Sequence, residues 1–309
     1  MRDDLPLLED HPSTKPALTG NKARKLYYYL QNDFPGVSRV VSYGSAQSNM
    51  LYSLAVLAKI KGWRLEFYVD RLPGNLGRHP RGNYAEALAL GAQVKIVPLD
   101  RSRFDSTTDS FIRESVVAER SDTLFIPLGG TGPKAETGLK ILADEIGACV
   151  EEHQLKNPKL MLPSGTGTTA FYLQKHLPFE VLTCTCVGSA DYLESQFKKH
   201  SNNKKIQPTI LSQIADESGR PRKFHFGKLY PEFYKIWEEL RLETSITFEL
   251  LYDPLGWLHM LDYIKQSGAG EDEPNPDMIY LHQGGQLGNE TMLQRYARKQ
   301  GLVSNPDHK

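Results

Sequence analysis

Short, continuously apolar runs recur along this chain, each followed by a longer segment of helical periodicity, and that alternation most constrains how it folds. Strand-like runs fall at 39–43, 65–69, 94–97, 124–127, 160–162, 181–187 and 278–282. Helix-like patterns occupy 48–60, 84–90 and 135–146, and a further helix starts at Thr168. Runs that are apolar throughout, rather than at every second residue, suit strands covered on both faces, as in parallel sheets flanked by helices. The expected class is therefore α/β. The Pro- and Gly-rich stretch 72–82 and the Lys- and Asn-rich stretch 198–205 read as surface loops, and 268–276 as an acidic excursion. No internal repeat, low-complexity tract or long linker breaks the rhythm.

Ligands of open parallel sheets gather at the carboxyl ends of the strands, and glycine-rich corners mark three such ends here. In the strongest, 160–170, a strand runs into a helix through Ser164, Gly165, Thr166, Gly167, Thr168 and Thr169. Its backbone N–H groups, helix dipole and threonine hydroxyls could converge on a phosphate, or the segment could be a glycine turn with a threonine cap. No lysine follows it, which excludes a Walker loop, and the dinucleotide-binding glycine spacing is not met. A second corner, 43–50, puts Gln47, Ser48 and Asn49 where a helix begins near Gln47. These side chains could meet a carboxylate or a ring hydroxyl, or simply cap the helix. The third, 281–288, ends a strand in Gly284 and Gly285, and His282 there reads as a strand-end residue rather than a base.

Composition narrows the partner. Lys plus Arg and Asp plus Glu both total 37, so the formal net charge is zero and no global field favours nucleic acid or an anionic membrane. A small molecule is the expected ligand, and 309 residues with 39% hydrophobic content suffice for two α/β domains. The three cysteines, Cys149, Cys184 and Cys186, lack paired metal-ligand spacing and read as buried thiols of a cytoplasmic protein, with no metal expected. No apolar run reaches the roughly 18 to 20 residues that span a bilayer, and the first residues have no signal-peptide core.

The segment Thr19-Gly20-Asn21-Lys22-Ala23-Arg24-Lys25-Leu26 sets Lys22 after a Gly-Asn turn and among other cations. Neighbouring positive charge and partial burial both disfavour an ammonium ion, and an amine so tuned can hold an aldehyde cofactor as a Schiff base. The alternative is an ordinary solvated lysine.

Taken in order, these motifs resemble the pyridoxal-phosphate enzymes of the 1-aminocyclopropane-1-carboxylate deaminase and D-cysteine desulfhydrase family. Arg2-Asp3-Asp4-Leu5, Gly20-Asn21-Lys22 with Arg24-Lys25-Leu26, and Gln47-Ser48-Asn49 each resemble a family motif. So do Arg81-Gly82-Asn83 with Leu90-Gly91-Ala92, Ile126-Pro127-Leu128-Gly129-Gly130, and His282-Gln283-Gly284-Gly285. The likeness runs from residue 2 to about 288. It implies a tryptophan-synthase-β-like fold of two open parallel-sheet α/β domains, with the cofactor in the cleft. Residues 1–24 and 131–309 would form a larger cofactor-binding domain and 25–130 a smaller one.

The resemblance also implies roles. Lys22 would carry pyridoxal 5'-phosphate as a Schiff base, Gly165, Thr166, Gly167, Thr168 and Thr169 would hold its phosphate, and Asn49 would bond its ring hydroxyl. Gln47, Ser48, Asn49 and Tyr230 would face the substrate. In 224–230 an aromatic-glycine corner resembles the family's, and 248–256 resembles the stretch that carries its catalytic tyrosine. That makes Tyr252 the catalytic tyrosine beside Ser48, and Asp253 the acid facing the pyridine nitrogen. The sequence departs from the family at Pro254-Leu255, Leu128 and Gln283, carries an insertion over 9–17, and opens almost at Arg2, where members have a preceding segment. The implied activity is ring opening of 1-aminocyclopropane-1-carboxylate to 2-oxobutanoate and ammonia, or elimination from D-cysteine to pyruvate, sulfide and ammonia, by a homodimer. A catalytically weak pyridoxal-phosphate-binding regulator or carrier is the alternative.

Overall fold

The computed structural model describes residues 18–98, 107–211, 213–216, 218–267 and 276–299. The segment Arg2 to Leu5, the insertion over 9–17 and nearly all of the acidic stretch 268–276 lie outside the described residues. The chain divides into two compact units, one of residues up to 135 together with those from 287 onward, the other of 136–286. This division groups the first and last helices with the N-terminal sheet, whereas the sequence reading grouped residues 1–24 and the whole C-terminal part together.

The N-terminal unit contains, in order, α1 (Gly20–Gln31), β1 (Arg39–Tyr43), α2 (Asn49–Lys61), β2 (Arg64–Val69), α3 (Gly74–Arg78), α4 (Gly82–Ala89), β3 (Gln93–Ile96), α5 (Thr108–Phe111) and β4 (Thr123–Phe125). Its four strands are all parallel, in the order β3-β2-β1-β4. The pleat sends alternate residues to opposite faces. Val40, Leu65, Phe67 and Val69 join α1, α2 and α4 in one core, while Val41 and Tyr68 pack with Val97 and Ile112 on the other side. Covering both faces is what makes β1 apolar at consecutive positions. Helix α2 lies deep in the first core, with Met50, Leu51, Leu54, Ala55 and Leu57 almost fully buried. It starts where the Ser48 side chain accepts the Met50 N–H and stops at Gly62, whose left-handed φ of 71° a glycine adopts without strain.

The C-terminal unit contains α6 (Glu136–Glu152), β5 (Pro158–Ser164), α7 (Thr168–His176), β6 (Val181–Thr185), α8 (Ala190–His200), β7 (Thr209–Ile210), α9 (Pro231–Thr244), α10 (Asp253–Ser267) and β8 (Asp277–Tyr280). Helix α11 (Asn289–Lys299) returns to the N-terminal unit. The second sheet is again parallel, in the order β7-β6-β5-β8. Both sheets therefore share one topology: the chain starts on an inner strand, steps outward twice, then crosses to the other side. Such a reversal leaves a crevice at the carboxyl ends of the two strands that flank it, here β1 with β4 and β5 with β8.

Two expectations change in detail. The stretch 72–82 contains helix α3 and the start of α4, and α8 extends through His200 into the stretch read as a loop at 198–205. The Asp253-Pro254 pair opens α10, since a proline in the first helical turn gives up an N–H that has no partner there in any case. No helix of the described residues is long and apolar enough to cross a membrane.

Candidate active site

In the N-terminal unit the corner after β1 and the corner after β4 flank the topological reversal, and α1 supplies the lysines. Lys22 lies in the first turn of α1, half-buried, with Nζ donating to Asn21 Oδ1 at 2.9 Å. One turn on, Lys25 is buried and donates from Nζ to the Gly129 carbonyl at 3.2 Å. Burial, with the Lys22 charge adding to it, pushes the Lys25 amine well below the ordinary lysine range. The combination of burial and neighbouring charge that the sequence suggested for Lys22 thus acts in full on Lys25. Gly130, at φ +67°, has a left-handed backbone that favours glycine, and a Cβ there would also press within 2.7 Å of the flexible end of Met50.

Ser48 and Asn49 begin α2, and both are half-buried. The Ser48 hydroxyl oxygen accepts the Met50 N–H at 3.0 Å, which leaves its own proton available for donation. Asn49 Oδ1 and the Gln47 carbonyl accept from the same buried amide, Asn83 Nδ2, at 2.7 and 3.0 Å. Gln47 itself contributes its backbone to this arrangement.

In the C-terminal unit the β5-to-α7 corner has the form the sequence suggested. Gly167 has φ +71°, and a Cβ on it would strike Leu193 Cδ1 at 2.5 Å and Phe197 Cε1 at 2.6 Å. Thr168 and Thr169 are buried at the start of α7, and the Thr166 and Thr168 hydroxyls lie 3.2 Å apart. The first N–H groups of a helix have no partner within it, so this corner is a cradle of donors suited to an anion.

Tyr252 and Asp253 approach that cradle from the turn before α10. The Tyr252 hydroxyl lies 3.4 Å from where a Cβ on Gly165 would sit, which sets the phenol against the first glycine of the cradle. The turn is bound reciprocally: Glu249 Oε2 accepts the Leu251 and Tyr252 N–H groups at 3.0 and 2.7 Å, and Asp253 Oδ2 accepts the Glu249 N–H at 2.8 Å. Burial holds the Tyr252 phenol well above the usual range, with the Glu249 charge adding to it, so the hydroxyl stays protonated. Asp253 is buried and accepts the Tyr280 O–H at 3.0 Å on Oδ1. Burial nonetheless raises its carboxyl to about 6, against the opposing effect of the Glu249 N–H.

The remaining sequence candidates sit on the same unit. Tyr230 caps α9, accepts the His225 N–H at 2.9 Å and packs on Phe224 and Phe233. Half-exposed Phe226 stands edge-on to Tyr252, with ring centroids 5.1 Å apart. Gln283 donates from Nε2 to the Pro163 carbonyl at 2.8 Å and so ties the corner after β8 to the end of β5. Cys184 and Cys186 are buried free thiols, and their mutual hydrogen bond together with burial pushes the Cys186 thiol well up. Sequence reasoning missed Glu249 and Tyr280. A signal for Glu249 was present, an acid three and four residues before Tyr252 and Asp253, but Tyr280 meets Asp253 only through strand pairing.

No protein-family model matches the chain, and neither does any curated protein. Solved structures do match. A structure of an ACC deaminase homologue shares 19% identity over 89% of this chain and 84% of its own, with a TM-score of 0.67. A hydrogen sulfide-producing enzyme mutant, complexed with an alpha-aminoacrylate intermediate, shares 12% over 89% and 80%, with a TM-score of 0.61. A T.th. threonine deaminase shares 13% over 87% and 83%, with a TM-score of 0.53. At these identities the likeness is one of fold: two parallel-sheet α/β domains of the tryptophan-synthase-β type, as the ordered motifs implied.

Proposed function

We propose that this chain is a pyridoxal-5'-phosphate-dependent enzyme of the deaminase and lyase class, acting on a small amino acid. The observation that carries the reading is the β5-to-α7 cradle, a glycine-floored helix N-terminus at a topological reversal, with a protonated tyrosine and a buried carboxylate on the same unit. Each unit, taken by itself, carries groups that suit part of the cofactor. Backbone N–H groups from Gly165 to Thr169 suit a dianionic phosphate, the Asn49 amide suits a phenolate, and the Asp253 carboxylate suits a protonated ring nitrogen. Lys22 is the amine that suits an aldehyde.

Pyridoxal phosphate, when bound, supplies an aldehyde that condenses with amines and a ring that withdraws electrons from the substrate's α-carbon. The chain's residues would do the rest. The Ser48 hydroxyl, with its oxygen engaged by the Met50 N–H, donates its proton to the substrate carboxylate. For a substrate that carries an α-proton, such as D-cysteine, the Lys22 amine would be the base that takes it. In ring opening, the Tyr252 phenol, kept neutral by burial, would be the acid that protonates the ring carbon released from the broken bond. Asp253 stabilises positive charge on the ring nitrogen, and an acid there favours the strained-ring opening of 1-aminocyclopropane-1-carboxylate over elimination from D-cysteine. Assembly as a cytoplasmic homodimer belongs to the same proposal.

The test is the visible absorption of the purified protein with added pyridoxal phosphate, wild type beside Lys22→Ala, followed by each amino acid in turn. A visible band that disappears in Lys22→Ala supports the cofactor linkage. 2-Oxobutanoate or pyruvate as product then identifies the substrate. Wild type with no such band refutes the proposal.

A further inference from the structure

Asn83, the second residue of α4, is 3% exposed and takes part in none of the roles above. Its Nδ2 stands 3.0 Å from the Gln47 carbonyl oxygen and 2.7 Å from the Asn49 side chain. A backbone carbonyl only accepts, so the Asn83 atom facing it must be the amide nitrogen. The atom of Asn49 that meets the same nitrogen must then be its oxygen. Asn49 is left with its own Nδ2 directed away from Asn83, and among the described residues no hydrogen bond is formed by that nitrogen. An asparagine amide can ordinarily flip, exchanging donor for acceptor at little cost. Here a flip would set N–H against N–H beside a buried amide.

The position of Asn83 is itself determined from the C-terminal helix. The Gly82 N–H, at the start of α4, donates to Glu290 Oε2 at 2.8 Å. Gly82 has φ +51°, and a Cβ there would come within 3.0 Å of the Leu287 carbonyl oxygen, so α4 begins at a fixed place against α11.

We propose that Asn83 is a positioning residue that holds Asn49 as an obligate hydrogen-bond donor, so that this corner of the site selects a ligand presenting an oxyanion and discriminates against one presenting a donor or a capped oxygen. The inference rests on the proposed function, in which that oxyanion is the ring phenolate of pyridoxal phosphate. It differs from a purely structural role for Asn83, such as joining α4 to α2, because it predicts a change in selectivity and not only in stability.

The experiment measures the affinity of the full chain for pyridoxal phosphate and for its 3-O-methyl analogue, by fluorescence titration, in wild type, Asn83→Asp and Asn49→Ala. An ionised aspartate at position 83 can only accept, so at a pH high enough to ionise it Asn49 would turn its N–H groups inward and present oxygen outward. The expected result is a loss of about tenfold in affinity for pyridoxal phosphate in Asn83→Asp, with affinity for the methylated analogue unchanged. Asn49→Ala should show the same selective loss, and the double variant Asn49→Ala with Asn83→Ala should lose no further selectivity. Should Asn83→Asp fail to fold, Asn83→Ala replaces it, and the non-additivity with Asn49→Ala carries the test. Equal losses for both ligands, or undiminished selectivity, would overturn the inference while leaving the cofactor assignment intact. A wild type that takes up neither ligand would instead overturn the proposed function, and the inference with it.

Discussion

Replacing Asp253 by Asn should change the slope of stability against pH, because the native carboxyl is buried and titrates away from its ordinary range. Its rise from 3.8 to about 6 corresponds to about 3 kcal/mol. The sign follows from proton counting. Between those two values the folded state holds a proton that the unfolded state has released, so stability falls as pH rises through that window, and the full cost is present above about pH 6. Between about pH 4.5 and about pH 7.5 the carboxyl should account for about 2 kcal/mol of lost stability. The Asp253→Asn variant carries no charge at this position and loses the dependence. Its amide oxygen can accept the Glu249 N–H while its NH2 donates to the Tyr280 hydroxyl, which keeps its own bond to the backbone carbonyl of residue 253, so any offset from the substitution is the same at every pH. Urea unfolding of the apoprotein at a series of pH values gives both curves, and subtracting one from the other removes the contribution of every other titrating group. A difference curve that falls by about 2 kcal/mol supports the assignment. Parallel curves, or a difference that rises with pH, refute it. On the proposed reading, bound pyridoxal phosphate flattens the wild-type curve, since a cation beside Asp253 favours the charged carboxylate.

Two further outcomes follow from the same unit. Gly167→Ala places a Cβ 2.5 Å from Leu193 and 2.6 Å from Phe197 at a left-handed backbone position, so it should lower stability by about 1–3 kcal/mol and weaken phosphate binding, both read by thermal melts with and without inorganic phosphate. Tyr252→Phe removes a hydroxyl but leaves the turn held by Glu249, so turnover should fall about 100-fold or more with an unchanged cofactor spectrum. Undiminished turnover would remove Tyr252 from proton transfer.

Much of the fold was legible because parallel strands covered on both faces leave continuous apolar runs. The strand at 39–43 matches β1 end to end, and the helix from Thr168 begins where the glycines of its corner allow. Helix α9 went unread although Phe233, Trp237 and Leu240 repeat at helical spacing and Pro231 stands at its first position. The pattern was visible, but aromatic residues and charges alternate through it and blur the apolar stripe. Helix α10 went unread because Asp-Pro serves turns and helix starts equally well, and only the reciprocal bonds with Glu249 decide between them.

Elements and corners are written in the local order of residues. Glycines at Gly130 and Gly167, a serine before α2 and small hydroxyl residues before α7 are demands of backbone geometry and capping, and such demands leave their mark on neighbouring positions. Environments, by contrast, come from packing. Lys25 rather than Lys22 is the buried amine, Tyr280 reaches Asp253 from β8, and Asn83 orients Asn49 from a different helix. The last two relations join residues far apart in the chain, and both desolvation and hydrogen-bond polarity depend on what packs around a group, not on what precedes it in sequence.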